Sequence, residues 1–158
     1  MPSDLLRRRF LGLAPAAEAF SVIRSEFSKS LSVFSVSCYV LGIGDRHLDN
    51  FLIDNFTGAV IGIDFGVAFG SATSVLHVPE LIPFRMTKAF TDVLQPLDAM
   101  SLLRQWMIKC MSAYRSPDSL NILVGVADVY VNDPIVEWVG GIVDRHEIEM
   151  RVCNIGFG

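Results

Sequence analysis

Asp45, Asn50 and Asp64 are the side chains whose types and spacing point to chemistry in this chain. Asp45 and Asn50 stand five residues apart in Gly44-Asp45-Arg46-His47-Leu48-Asp49-Asn50, and Asp64 opens Asp64-Phe65-Gly66 after the intervening FLIDNFTGAVIGI. Carboxylate and carboxamide oxygens are hard donors suited to Mg²⁺, an ion that keeps several waters and takes few protein ligands alongside substrate phosphates. Phosphoryl transfer is the reaction such a set would serve. It asks for metal bridging of the phosphates and a positioned nucleophile more than for covalent help. Each residue also has a plainer role: Asp45 with Arg46 as a loop ion pair, His47 as a brace, Asn50 as a turn residue and Asp64 as a strand-end cap. Their joint occurrence at these spacings is what favours chemistry.

The elements that must position these groups are legible around them. Residues 51–53 and 59–63 are short β-type apolar runs around the turn-rich Asp54-Asn55-Phe56-Thr57-Gly58, which predicts a hairpin. If Ile53 faces Ala59 across the turn, Asn50 lies near residues 62–64, and Asp45, Asn50 and Asp64 converge at one end of the ribbon. Upstream, residues 16–39 read as a helix, with Phe20, Ile23, Phe27, Leu31 and Phe34 forming an apolar stripe that Gly42 and Gly44 end. Downstream, residues 71–83 read as irregular, 85–94 as a short helix, and Asp98 as the N-cap of a longer one. The core face of that longer helix comprises Leu102, Leu103, Trp106, Met107, Cys110, Met111 and Tyr114. Residues 120–131 suggest a further helix, with strand left open by the Val content, and the tail from 142 has no clear pattern. The expected fold class is mainly α with one small β-hairpin. His77 and His146 have no partner spacing and are expected to carry no function.

Composition narrows the alternatives. Of 158 residues, 51% are hydrophobic and 19% charged, with a net charge of -4. Such a chain has ample apolar surface to bury, which excludes intrinsic disorder, and its acidic balance argues against direct nucleic-acid contact. A mean hydropathy of +0.44 exceeds what a free-standing domain usually carries, and the excess reads as surface that packs against a further segment. Cys38, Cys110 and Cys153 form neither a C-x-x-C pair nor a disulfide framework, so buried reduced thiols in an intracellular protein are expected. The Arg7-Arg8-Arg9 run, read as preceding a helix, heads a poor signal peptide. The apolar window 31–43 is shorter than the roughly 20 residues a bilayer span needs, so no membrane partner is expected.

The Asp45-to-Asn50 interval and Asp64-Phe65-Gly66 match the protein-kinase elements H-R-D-x-x-x-x-N and D-F-G, with the triplet reversed to Asp45-Arg46-His47. The longer string LGIGDRHLDNFLIDNFTGAVIGIDFGVAFG resembles the signature of the phosphatidylinositol 3-/4-kinase superfamily. The following FGSATSVLHVPELIPFRMTK resembles the branch of phosphatidylinositol 3-kinase-related protein kinases. The similarity runs from Leu5 to Trp138. The resemblance implies the C-terminal lobe of a protein-kinase-like α+β fold over residues 1–141. Within it lie a catalytic loop at 44–50, a metal-binding D-F-G at 64–66 and an activation segment at 64–87, with 142–158 left unassigned.

By the same resemblance Asp45 orients and deprotonates the acceptor hydroxyl, and His47 stabilises charge on the transferring phosphoryl group. Asn50 and Asp64 bind ATP through Mg²⁺ (Mn²⁺ being possible), while Phe65, Gly66, Pro83, Phe84 and Arg85 belong to the substrate segment. Residues 67–83 carry no Lys or Arg to hold an inositide head group, which favours a protein substrate over a phosphoinositide, and the resemblance implies Ser/Thr acceptors, typically before Gln. The implied setting is nuclear: double-strand-break repair by non-homologous end joining, alongside a DNA-end-binding heterodimer. Two departures stand out, Val67 where relatives usually carry His and Asp49 where Asn is common. No Gly-rich phosphate loop, strand Lys or adenine hinge is found, so the N-lobe and closing segments are expected from a longer polypeptide. The 158 residues alone are expected neither to turn over ATP nor to stay dispersed. An inactive kinase remnant acting as an interaction module is the competing expectation.

Overall fold

Phe20, Ile23, Phe27 and Leu31 recur at three- and four-residue steps, and all four are buried along one face of a single long helix, α2 (Ala17–Leu41). Residues 2–72, 76–78, 82, 84–134, 136 and 143–154 are described in the computed structural model. A short helix, α1 (Leu5–Leu13), packs Phe10 onto the first half of that stripe. The three arginines 7–9 lie inside α1 rather than ahead of a helix, as the sequence had suggested. Phe27 sits edge-on to both Phe10 and Phe90, each with ring centroids 5.8 Å apart, and this aromatic stack is the centre of the first core cluster. Phe34, expected on the stripe, is only half-buried and meets Phe51 of the hairpin instead, at 5.3 Å.

The predicted hairpin forms as β1 (Phe51–Ile53) and β2 (Val60–Gly62), antiparallel, with Phe51 opposite Gly62 and Ile53 opposite Val60. The register is one residue off the expected Ile53–Ala59 pairing. Asp54 explains the shift: its carboxylate accepts from the Phe56 and Thr57 amides at 2.6 and 3.2 Å, and its own amide bonds the Ala59 carbonyl at 2.9 Å. That turn draws Ala59 into the loop. Two contacts seat the ribbon on α2. Ser30 Oγ accepts from the Val60 amide at 2.8 Å, and Gly62 leaves room for the Phe34 ring, whose Cε2 would lie 2.1 Å from any Cβ there.

The remaining helices follow their caps. Thr87 caps α3 (Lys88–Leu94), so this helix starts three residues later than the apolar pattern suggests. Asp98 caps α4 (Ala99–Tyr114) as expected, accepting from the Met100 amide. Of its expected core face, Leu103 and Met111 are fully buried, while Leu102, Trp106, Met107, Cys110 and Tyr114 are half-buried. Ser32 of α2 donates to the Leu103 carbonyl at 3.2 Å, so a small residue lets the two helices approach closely. Ser116 caps α5 (Pro117–Tyr130) with Pro117 in the first turn, which settles that segment as helix rather than strand. Within the tail, Asp144 caps an unexpected helix, α6 (Arg145–Cys153), whose Ile148 and Val152 join Val36, Val40, Met111 and Ala127 in a second core cluster. Arg151 of α6 donates to the Tyr39 carbonyl in the last turn of α2 at 3.1 Å. Among the described residues no helix is long and apolar enough to cross a membrane. Among the described residues the architecture is mainly helical with one two-stranded sheet, as expected.

Candidate active site

The loop that carries Asp45 begins where α2 is forced to stop. Gly42 adopts a left-handed φ of 60°, and the Ile43 amide returns to the Cys38 carbonyl at 2.9 Å, a closed helix end of the kind glycine permits. The chain then runs beside the segment that follows Asp64-Phe65-Gly66. Gly44 donates to the Val67 carbonyl at 2.9 Å, while Phe69 and Gly70 donate to the Leu41 and Gly42 carbonyls at 2.9 and 3.0 Å. Val67 therefore contributes to this junction through its backbone, which any side chain at that position can offer.

Asn50 occupies the pivot between loop and hairpin. It is 5% exposed, its Nδ2 donates to the Asp45 carbonyl at 2.7 Å, and its own carbonyl accepts from the Ile63 amide at 3.1 Å. Because a carbonyl oxygen only accepts, the amide nitrogen must face Asp45, which turns the Oδ1 acceptor the opposite way. Asp64 follows Ile63 directly, with a φ of 56°, and its Oδ1 accepts from the Gly66 amide at 3.3 Å. The expectation that Asn50 lies near the end of the second strand is met in this backbone contact. Asp45 also has a φ of 56°, so two carboxylate-bearing residues adopt backbone conformations that L-residues rarely take.

His47 is half-exposed, with Nε2 3.8 Å from Asp45 Oδ2 and Nδ1 3.9 Å from Asp49 Oδ2. The Asp49 side chain is 100% exposed, so its departure from the resembled pattern faces water. Phe65 and Gly66 are exposed, and Phe65 with Leu41, Ile43, Phe69, Val126 and Tyr130 lines a cavity of about 400 Å³. Phe84 is half-buried and Arg85 exposed on the irregular stretch before α3, while Pro83 lies outside the described residues.

Sequence reasoning missed the residue that organises this junction. Arg46, considered there as one half of a loop ion pair, is 1% exposed. Its Nε donates to the Gly44 carbonyl at 2.7 Å, its Nη1 to the Ile63 carbonyl at 2.8 Å, and its Nη2 to the Asp64 carbonyl. Its guanidinium lies 5.5 Å from the centroid of the Phe65 ring. Burial pushes the pKa of the Cys38 thiol up to about 11, opposed by the Arg46 cation. No sequence signal separates a buried arginine from a solvated one in a loop of this composition.

The donor chemistry fits a hard divalent ion: an exposed carboxylate from Asp64 and a carboxamide oxygen from Asn50 whose nitrogen is already committed. Among the described residues no three His, Cys, Asp or Glu side chains gather into a metal cage. An ion here would therefore complete its shell with water and phosphate oxygens.

Residues 1–140 match the family profile "Phosphatidylinositol 3- and 4-kinase". The chain is 46% identical over 138 residues to the DNA-dependent protein kinase catalytic subunit of Gallus gallus, a stretch covering 87% of this chain and 3% of that protein. It is 34% identical over 137 residues to the serine/threonine-protein kinase smg-1 of Caenorhabditis briggsae, covering 87% of this chain and 6% of that one. Its fold superposes on the solved "FAT and kinase domain of CtTel1" with a TM-score of 0.75 at 28% identity, over 94% of this chain and 11% of the other. The chain thus spans only a few per cent of the length of these curated relatives. With the loop, the hairpin and the D-F-G segment arranged as described, the chain belongs to the phosphatidylinositol 3- and 4-kinase family.

Proposed function

We propose that these residues form the C-terminal lobe of a Ser/Thr protein kinase, within which ATP donates its γ-phosphate to a protein Ser/Thr hydroxyl, preferably before Gln. The observation that carries this reading is the pinning of Asn50 and the Asp64 backbone to the same loop that bears Asp45. Asn50 and Asp64 would hold Mg²⁺ or Mn²⁺. When bound, such an ion would supply positive charge that offsets the charge developing on the phosphates. Asp45 accepts the proton of the acceptor hydroxyl and aims its oxygen at the γ-phosphorus. His47, beside Asp45 and half-exposed, would donate to the transferring phosphoryl oxygens. The adenine pocket, the glycine-rich loop and its lysine would come from segments outside these 158 residues.

The protein-substrate reading draws on the absence of Lys and Arg from residues 67–83 and on the similarity to protein kinases. A nuclear role in end joining with a DNA-end-binding partner follows from the same similarity, without direct DNA contact from this segment. A chimera tests the proposal: residues 5–138 replace the matching stretch of the chicken relative. Transfer to a Ser-Gln peptide is expected, with a loss of more than about 100-fold in Asp64→Asn and in Asp45→Asn. Phosphorylation of phosphoinositide vesicles in place of the peptide would overturn the substrate class, and undiminished transfer in Asp64→Asn would overturn the site.

A further inference from the structure

We propose that Arg46 is a positioning residue that sets the register between Asp45 and Asp64, by gripping the peptide units around them rather than any phosphate. This inference rests on the reading of Asn50 and Asp64 as metal ligands. Arg46 is 1% exposed, so its guanidinium offers no open face to a nucleotide. A charge buried that deeply is tolerated only when its donors are satisfied, and here they are satisfied by backbone carbonyls. Those carbonyls are not a random set. Gly44 supplies the peptide that leads into Asp45, Ile63 the peptide that leads into Asp64, and Asp64 its own carbonyl. The two residues flanked in this way are both held at a φ of 56°.

A planar fork with donors on three nitrogens spans two chain segments at once. A lysine ammonium carries the same charge on a single nitrogen and cannot. Phe65 closes the upper side of the fork, so the D-F-G aromatic ring also reports on its place. The geometry thus points to a division of labour in which Asp45 and Asp64 present oxygens and Arg46 decides where those oxygens are. Side chains that orient metal ligands typically influence metal affinity by roughly 10- to 100-fold.

The test uses the 158-residue chain, fused to a solubility partner, with Mn²⁺ alone as probe and its binding read by electron paramagnetic resonance. Arg46→Lys is expected to weaken Mn²⁺ binding at least about tenfold with helical circular dichroism unchanged. In Arg46→Ala, added methylguanidinium is expected to restore binding, whereas methylammonium is not. Wild-type Mn²⁺ affinity in Arg46→Lys would overturn the proposal. So would loss of helical dichroism, since that would make the guanidinium a support of the whole fold. The underlying reading fails separately: if Asp64→Asn and Asn50→Ala bind Mn²⁺ as the unaltered chain does, the ligand assignment falls whatever Arg46 does.

Discussion

The helical body and the loop–hairpin junction are built by opposite means. In the body, shape comes from side chains: Phe27 touches two other rings and is 0% exposed. In the junction, shape comes from backbone groups held by one buried side chain, while the aromatic ring beside that side chain, Phe65, is 50% exposed. A hydrophobic core tolerates small adjustments because apolar contacts are numerous and non-directional. A hydrogen-bonded junction does not, because each bond has a required angle and an unmet carbonyl carries a desolvation cost. Stability and chemical placement are therefore separable properties of neighbouring parts of the molecule.

That separation can be broken or sharpened by experiment. The largest expected effect is in the body: Phe27→Ala should cost about 3–5 kcal/mol in chemical denaturation, as a fully buried aromatic does. A loss below about 1 kcal/mol would show that the aromatic stack is not the centre of the core. Gly62→Ala tests the seam between the regions. Its added methyl meets the Phe34 ring, so a loss of about 1–3 kcal/mol is expected together with weaker Mn²⁺ binding. Stability lost without any change in Mn²⁺ affinity would detach the hairpin seat from the site.

A third effect is confined to alkaline solution. The Cys38 thiol is raised to about 11 in the folded chain by burial, so the fold favours its protonated form. The stabilising contribution is full below the unfolded thiol value of about 8.5 and is lost as pH rises through the folded one. Denaturation midpoints should fall between pH 9 and 11, and Cys38→Ala should flatten that fall. In native protein a thiol reagent should label the exposed Cys153 well before Cys38. Removing the cap in Ser116→Ala should cost about 1 kcal/mol while leaving Mn²⁺ affinity alone. Smallest of all, Asp49→Asn should shift stability by less than about 0.5 kcal/mol, because its side chain is fully exposed.

The same contrast governs what could be read from the sequence. The stripe on α2 and the Asp98 cap were legible because periodicity and capping are local signals. So was the approach of Asn50 to the strand end, which depends on hairpin topology more than on register. The register itself slipped by one because the Asp54 side chain, not the apolar pattern, decides where the turn closes. Helix α6 escaped notice because it buries only Ile148 and Val152 and shows no wider apolar face. Arg46 escaped because burial of a charge is a tertiary property, decided by carbonyls that lie 17 and 18 residues further along the chain.

Arg151 gives the timing of assembly a structural basis. In the last turn of α2, from which the candidate catalytic loop departs, the Tyr39 carbonyl accepts a hydrogen bond from a residue 112 positions later. On a ribosome the chain emerges from its N-terminus, so α2, the loop and the hairpin leave the exit tunnel well before the arginine that ties down their launching point. A nascent chain halted ahead of α6 would carry every candidate metal-binding and phosphate-handling residue, yet lack the brace that holds their platform still.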